Sequence, residues 1–156
     1  MQMLSWYQSV IYASAISCCF LFDTVPVGAV PSIEATATNI ATSLPIAGTS
    51  ATTEIRQVAN LQISTEAVGG LKLVISQNSL TKSDSTPIPV QFLAIADGSA
   101  APDSASFTTA ANTNYEYLTS AAGTTKLNLY VKYTTGQSQD PGNYTTTLDL
   151  LVEDNP

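Results

Sequence analysis

Histidine is missing from this chain, and its two cysteines, Cys18 and Cys19, stand side by side near the N-terminus. The commonest general base and the commonest metal ligand are therefore absent together. Past residue 29 there is no cysteine either, so Ser-His-Asp and Cys-His nucleophile sets are excluded and zinc-ligand spacing does not occur. No metal, cofactor or catalytic residue is expected, and the chain reads as a non-enzyme. Charge is also scarce, at 11% of residues, with 5 Lys and Arg against 12 Asp and Glu and a net charge of −7. Arg56, Lys72, Lys82, Lys126 and Lys132 are scattered along the sequence. Nucleic-acid binding needs clustered basic side chains against phosphates, so it is not expected. The single tryptophan, Trp6, lies in the N-terminal segment.

Long apolar runs are missing too. Val10 to Phe22, "VIYASAISCCFLF", has 13 residues without charge, short of the roughly 20 a bilayer span requires. It has the length of a signal-peptide core, and Val27-Gly28-Ala29 offers a small-residue cleavage site. Residues 1–29 are read as a cleaved signal peptide, although no Lys or Arg precedes the core. A buried N-terminal helix, or a lipoprotein signal ending at Cys18, fits the same run. On the first reading the mature chain is secreted, has no membrane span and has no disulfide. Its stability must then come from its core or from assembly with partners.

What is abundant is hydroxyl: 17 serines and 21 threonines. Threonine is β-branched and suits strands, and both residues suit turns. Nearly every segment reads as strand or loop. Ile33, Ala35 and Ala37 alternate before the phase slips at Ile40. Ile55, Ala59, Leu61 and Ile63 share one face, and Leu71, Leu73 and Ile75 another; Gly69-Gly70 between them reads as a hairpin turn. Ile88, Val90 and Phe92 follow, with Pro89 marking an edge or a strand start. "NYEYL" reads as a short strand. "KLNLYVKY" alternates most clearly, with Leu127, Leu129, Val131 and Tyr133 inward. The chain closes on "DPGNYTTTLDLLVEDN", in which Tyr144, Thr146, Leu148, Leu150 and Val152 share one parity. No stretch after residue 30 carries a capped helical pattern. Six to seven short strands separated by turns predict an all-β, immunoglobulin-like β-sandwich. Residues 30–46 form an N-terminal extension and 47–156 the sandwich domain.

Residues that could carry chemistry are few. Lys82 lies between Thr81 and Ser83 in a polar loop, and Glu54, Glu66 and Glu116 read as solvated surface. Asp84-Ser85 and Asp97-Gly98-Ser99 lack the acidic ladder of a calcium loop. Tyr115, Tyr117, Tyr130, Tyr133 and Tyr144 either pack inward or form an exposed aromatic line of the kind that binds carbohydrate. Tyr130 has outward parity. Asn143-Tyr144-Thr145 is an N-glycosylation sequon at a turn, so Asn143 is a candidate glycan site. Thr145 and the neighbouring threonines are candidates for O-linked sugars.

Three segments, "NLQISTEAVGGLKLVIS", "TPIPVQFLAIAD" and "TKLNLYVKYTTGQSQDPGNYTTTLDLLV", occur in an order that resembles the spore coat protein U domain. That family includes the subunits of archaic chaperone–usher pili. The similarity runs from about Asn60 to Val152, and the closing Pro-Gly-x-Tyr-Thr and alternating strand are its most specific part. Two places differ from the family pattern: the early cysteine pair is missing, and Thr146 stands where Asp is usual. The resemblance implies a structural subunit of an extracellular pilus or fibre. Its sandwich lacks the last strand, and a neighbouring copy supplies it by donor-strand complementation. Residues 30–46 are then the donor, with Ile33, Ala35, Ala37, Ile40, Leu44 and Ile46 as its anchors. Tyr144, Leu148, Leu150 and Val152 line the acceptor groove. A periplasmic chaperone and an usher are the further partners implied. The residues themselves equally suit a monomeric cell-surface adhesin or carbohydrate-binding module, in which 30–46 is the domain's own first strand.

Overall fold

A computed structural model describes residues 30–156 apart from 43, 45, 47–49, 77, 137, 138, 141, 142 and 156. The expected signal peptide, 1–29, lies outside the described residues. Seven strands form two antiparallel sheets. They are β1 (Ser32–Ala37), β2 (Thr52–Thr65), β3 (Leu71–Ser76), β4 (Val90–Ala96), β5 (Tyr115–Leu118), β6 (Gly123–Thr135) and β7 (Asp149–Asp154). One sheet has the order β1-β2-β6-β4 and the other β5-β3-β7. The all-β sandwich expected from the alternation is the fold.

Alternation places the core. Leu61 and Ile63 of β2, Leu71, Leu73 and Ile75 of β3, Val90, Phe92 and Ala94 of β4, and Leu127, Leu129, Val131 and Tyr133 of β6 are buried between the sheets. Each large aliphatic side chain taken fully from water contributes about 1.5–3 kcal/mol. Register then fixes which residues meet: Ile63 lies opposite Thr125, Leu61 opposite Leu127, and Ala59 opposite Leu129.

Two expectations from the sequence are corrected. The Gly69-Gly70 turn does not close a hairpin. β2 pairs with β1 and β6, and β3 with β5 and β7, so the turn carries the chain from one sheet to the other. Gly-Gly permits either geometry; the choice is made by β1 and β6, which occupy both edges of β2 and leave none for β3. Ile55 also does not share a face with Ala59. A bulge between Gln57 and Ala59 inserts one residue and flips the parity. Before it, Glu54 lies opposite Tyr133 and Arg56 opposite Val131, on the inner face, while Ile55 pairs with Lys132 on the outer one. The inward charges are paired: Arg56 Nη2 donates to Glu54 Oε2 at 2.7 Å. Tyr133 beside them is 1% exposed. Burial pushes its phenol up to about 12, with Glu54 adding and Arg56 opposing, so it stays neutral at ordinary pH.

The strand order has a recognisable logic. In constant-type immunoglobulin sandwiches, strands A, B, E and D make one sheet and C, F and G the other. Here β1, β2, β6 and β4 occupy the A, B, E and D places, and β3 and β7 those of C and F. β5 is an added strand on the far side of β3. Outside β7, where G would pair, no strand stands among the described residues.

Candidate functional site

The two flanks of the sandwich differ. On one, β4 and β5 approach each other, and Tyr115 closes the gap: its hydroxyl donates to Ala94 O at 3.1 Å. The inward residues of β4 are fully buried there. On the other flank β1 faces β7. Ile33 and Ala35 from β1, and Leu150 and Val152 from β7, pack against the core but are only half-buried. Their partners one strand inward, Ile63, Leu61, Ile75 and Leu73, are completely covered. Edge strands form both flanks; along this one the core-facing side chains of both strands reach solvent, whereas on the other only those of β5, Tyr115 and Tyr117, do.

The donor candidates divide. β1 pairs antiparallel with β2 in the same chain, from Ser32 opposite Ser64 to Ala37 opposite Ala59. Thr38 N donates to Val58 O at 2.9 Å, and a 3-10 turn (Asn39–Thr42) follows, with Ala41 buried. Ile33, Ala35, Leu44 and Ile46 pack on the core, whereas Ala37 is exposed and Ile40 is 38% exposed. In the single chain, residues 32–37 are thus the sandwich's own first strand.

The acceptor candidates divide as well. The closing strand expected from Tyr144 begins only at Asp149. Upstream of it, Thr145 exchanges both backbone bonds with Thr81, at 2.8 and 2.9 Å, which commits that stretch to a different neighbour. Tyr144 and Leu148 are already buried inside the domain, so only Leu150 and Val152 offer surface on the flank. Tyr144 has another task. Its hydroxyl donates to Asp140 O at 3.1 Å and accepts from Gln139 Nε2 at 2.6 Å, while Lys82 Nζ sits 5.8 Å from its ring centre. A tyrosine at the corner before strand F that bonds back to upstream backbone is the tyrosine corner of immunoglobulin-type sandwiches. It anchors the turn that launches β7. Tyr144→Phe is expected to lower stability by about 1 kcal/mol, since Gln139 Nε2 keeps its bond to Thr86 O but one of its N–H groups and the Asp140 carbonyl lose the hydroxyl; urea denaturation at constant m-value checks this.

The remaining tyrosines form no exposed line. Tyr115 and Tyr117 face inward, and Tyr130, though outward in its strand, is 8% exposed with its hydroxyl 3.4 Å from Gln57 Oε1. The polar stretch after β4 lies over the β4–β6 outer face, where Gln91 Nε2 donates to Phe107 O and Lys132 stands over the Phe107 ring at 5.2 Å. Asn143 is exposed, accessible to modification, and Thr145 is half-buried. Glu66 and Glu116 are exposed. Among the described residues no three His, Cys, Asp or Glu gather where they could hold a metal ion, and no helix is long and apolar enough to cross a membrane. No protein-family model matches this chain, and no curated protein matches it in sequence.

What the sequence missed is the difference between the flanks. Parity identifies Leu150 and Val152 as inward but cannot say which sheet edge they occupy. That depends on β3, more than seventy residues upstream.

Proposed function

We propose that this chain is the structural subunit of an extracellular fibre that grows by strand exchange. One observation carries the reading: the flank between β1 and β7 is closed only by a six-residue edge strand with one large inward anchor, beside a last strand whose outer side has no strand partner among the described residues. Unpaired edges beside an exposed core invite pairing with another chain. If segment 30–46 leaves its own β2 and seats on the β2–β7 flank of the next copy, the contacts made within one chain are remade between chains. Such head-to-tail exchange does not close and gives a filament. Secretion through a signal at 1–29, handling by a chaperone and an usher, and glycans at Asn143 or Thr145 belong to the same proposal, which agrees with the resemblance to archaic pilins.

The alternative is a monomeric surface adhesin or binding module. It is favoured by the pairing of β1 with β2 in the same chain. Electron microscopy of material sheared from native cells, with mass spectrometry of the band, separates the two. Thin filaments containing this chain, starting near Val30, are the expected result. A soluble monomer and no filament would leave the module.

A further inference from the structure

The outer face of the β1-β2-β6 sheet holds a concavity of about 240 Å³. Two cross-strand rows line it. Glu34, Gln62 and Lys126 lie side by side on β1, β2 and β6; Thr36, Asn60 and Asn128 form the next row. Asp97, at the turn after β4, closes one end. Leu61 and Leu127 contribute the floor, but their side chains point into the core, so the surface they present is backbone. The side chains that reach the cleft are therefore polar, although about half of the surface it exposes is carbon.

Its polar groups are positioned in advance. Tyr130 Oη donates to Gln57 Oε1, and Gln57 Nε2 donates to Asn60 Oδ1 at 2.7 Å and to Asn128 Oδ1 at 3.1 Å. Asn128 Nδ2 donates to Asp97 Oδ1 at 3.2 Å, and Gly98 N holds the same oxygen at 3.0 Å. With its oxygen committed, Asn60 keeps its two N–H donors for something else. The side chains of Glu34, Gln62 and Lys126 make no hydrogen bond among the described residues. What remains unspent is the Glu34 carboxylate, the Gln62 amide, the Asn60 N–H donors and the Lys126 ammonium, all lining a single hollow.

We propose that this cleft binds a neutral saccharide. A carboxylate accepts from two hydroxyls at once, and an amide both donates and accepts, which is the complement of a vicinal diol. Two carboxylates against one ammonium, on a chain of net charge −7, disfavour phosphate and acidic sugars. Glu34 and Thr36 belong to β1, so the cleft is complete only where a β1 segment lies on β2, whether its own or a neighbour's. The inference does not depend on fibre formation.

The test is saturation-transfer NMR on the full chain, as filament or monomer, with methyl glycosides of neutral hexoses and, separately, sialyllactose. Transfer to one or more neutral glycosides is expected, with none to sialyllactose. Glu34→Gln keeps the shape and removes the charge, and should weaken binding about ten- to a hundredfold, the loss of a charge-assisted hydrogen bond. Asn60→Ala should weaken it in the same direction. A melting temperature equal to that of the parent chain shows that both variants are folded. No transfer to any neutral glycoside, transfer undiminished in both variants, or transfer to sialyllactose alone would each overturn the proposal.

Discussion

A chain lacking residues 30–46 is expected to fold but to melt about 10–20 °C lower and to form no filaments. The deletion uncovers one side of Leu61 and Ile63 and removes the contributions of Ile33, Ala35, Ala41, Leu44 and Ile46. Half-buried aliphatic groups contribute about 1 kcal/mol each, so the loss is roughly 3–5 kcal/mol, from a total of order 5–15 kcal/mol. For a domain of this size each kcal/mol corresponds to about 4 °C. The remaining six strands keep both sheets and the closed β4–β5 flank, which is why the domain should survive, though as an aggregation-prone species with two bare edges. A synthetic peptide of residues 30–46 should raise the melting temperature again, increasingly with its concentration, as any ligand of the folded state does. The same peptide with Ile33→Asp should do so far more weakly, because the large anchor of its strand would place a charge against Ile63. Rescue in trans is the elementary step of the proposed polymer, measured without the polymer. A deleted chain that still assembles, or one that is unfolded and unresponsive to the peptide, would remove the strand-exchange reading. The second outcome would assign residues 30–46 to a monomer that needs them in place.

How much of this was readable in advance depends on range. The inward sets Leu71, Leu73, Ile75 and Leu127, Leu129, Val131, Tyr133 follow from period-two alternation, a local property, and each is buried as its parity requires. The bulge after Gln57 is not readable, because nothing local distinguishes "IRQVANLQIS" with a slip from the same residues without one. Register with β6 decides it, and its consequence, inward Glu54 and Arg56, contradicts simple hydrophobic patterning. The choice of an arch over a hairpin at Gly69-Gly70 is equally non-local. So is the saccharide cleft: the outward positions of each strand are legible one strand at a time, but that Glu34, Gln62 and Lys126 form one row requires knowing that β2 lies between β1 and β6. For the flank, the alternation of Leu150 and Val152 is local and their incomplete burial is not. They are half-exposed because the chain supplies no strand on that side among the described residues.

Gly70→Ala should destabilise the domain by about 3 kcal/mol or more, and Gly98→Ala by only about 1 kcal/mol. Both glycines have left-handed backbones, with φ of +84° and +77°. Around Gly98 an added Cβ meets nothing within 4 Å, so strain is the only cost. At Gly70 it would stand 2.2 Å from Thr119 O and 2.5 Å from Thr119 C. Thr119 cannot step aside freely, since its N donates to Leu71 O at 2.9 Å and its Oγ1 accepts from Leu71 N at 2.8 Å. Gly70 also holds the other edge of the same sheet: its carbonyl accepts from Asn155 N at 2.9 Å, and Asn155 Nδ2 donates to Gly69 O at 3.1 Å. One turn therefore pins the end of β5 and the end of β7. Displacing it should loosen β7 from β3 and reduce filament yield beyond what the loss of stability alone explains. Urea midpoints of the two variants, compared at equal m-value, give the energetic difference. Equal costs at both positions would mean that Thr119 does not confine Gly70. A Gly70→Ala chain that loses stability yet assembles as well as a variant destabilised equally in the β4–β5 flank would separate the turn from the fibre.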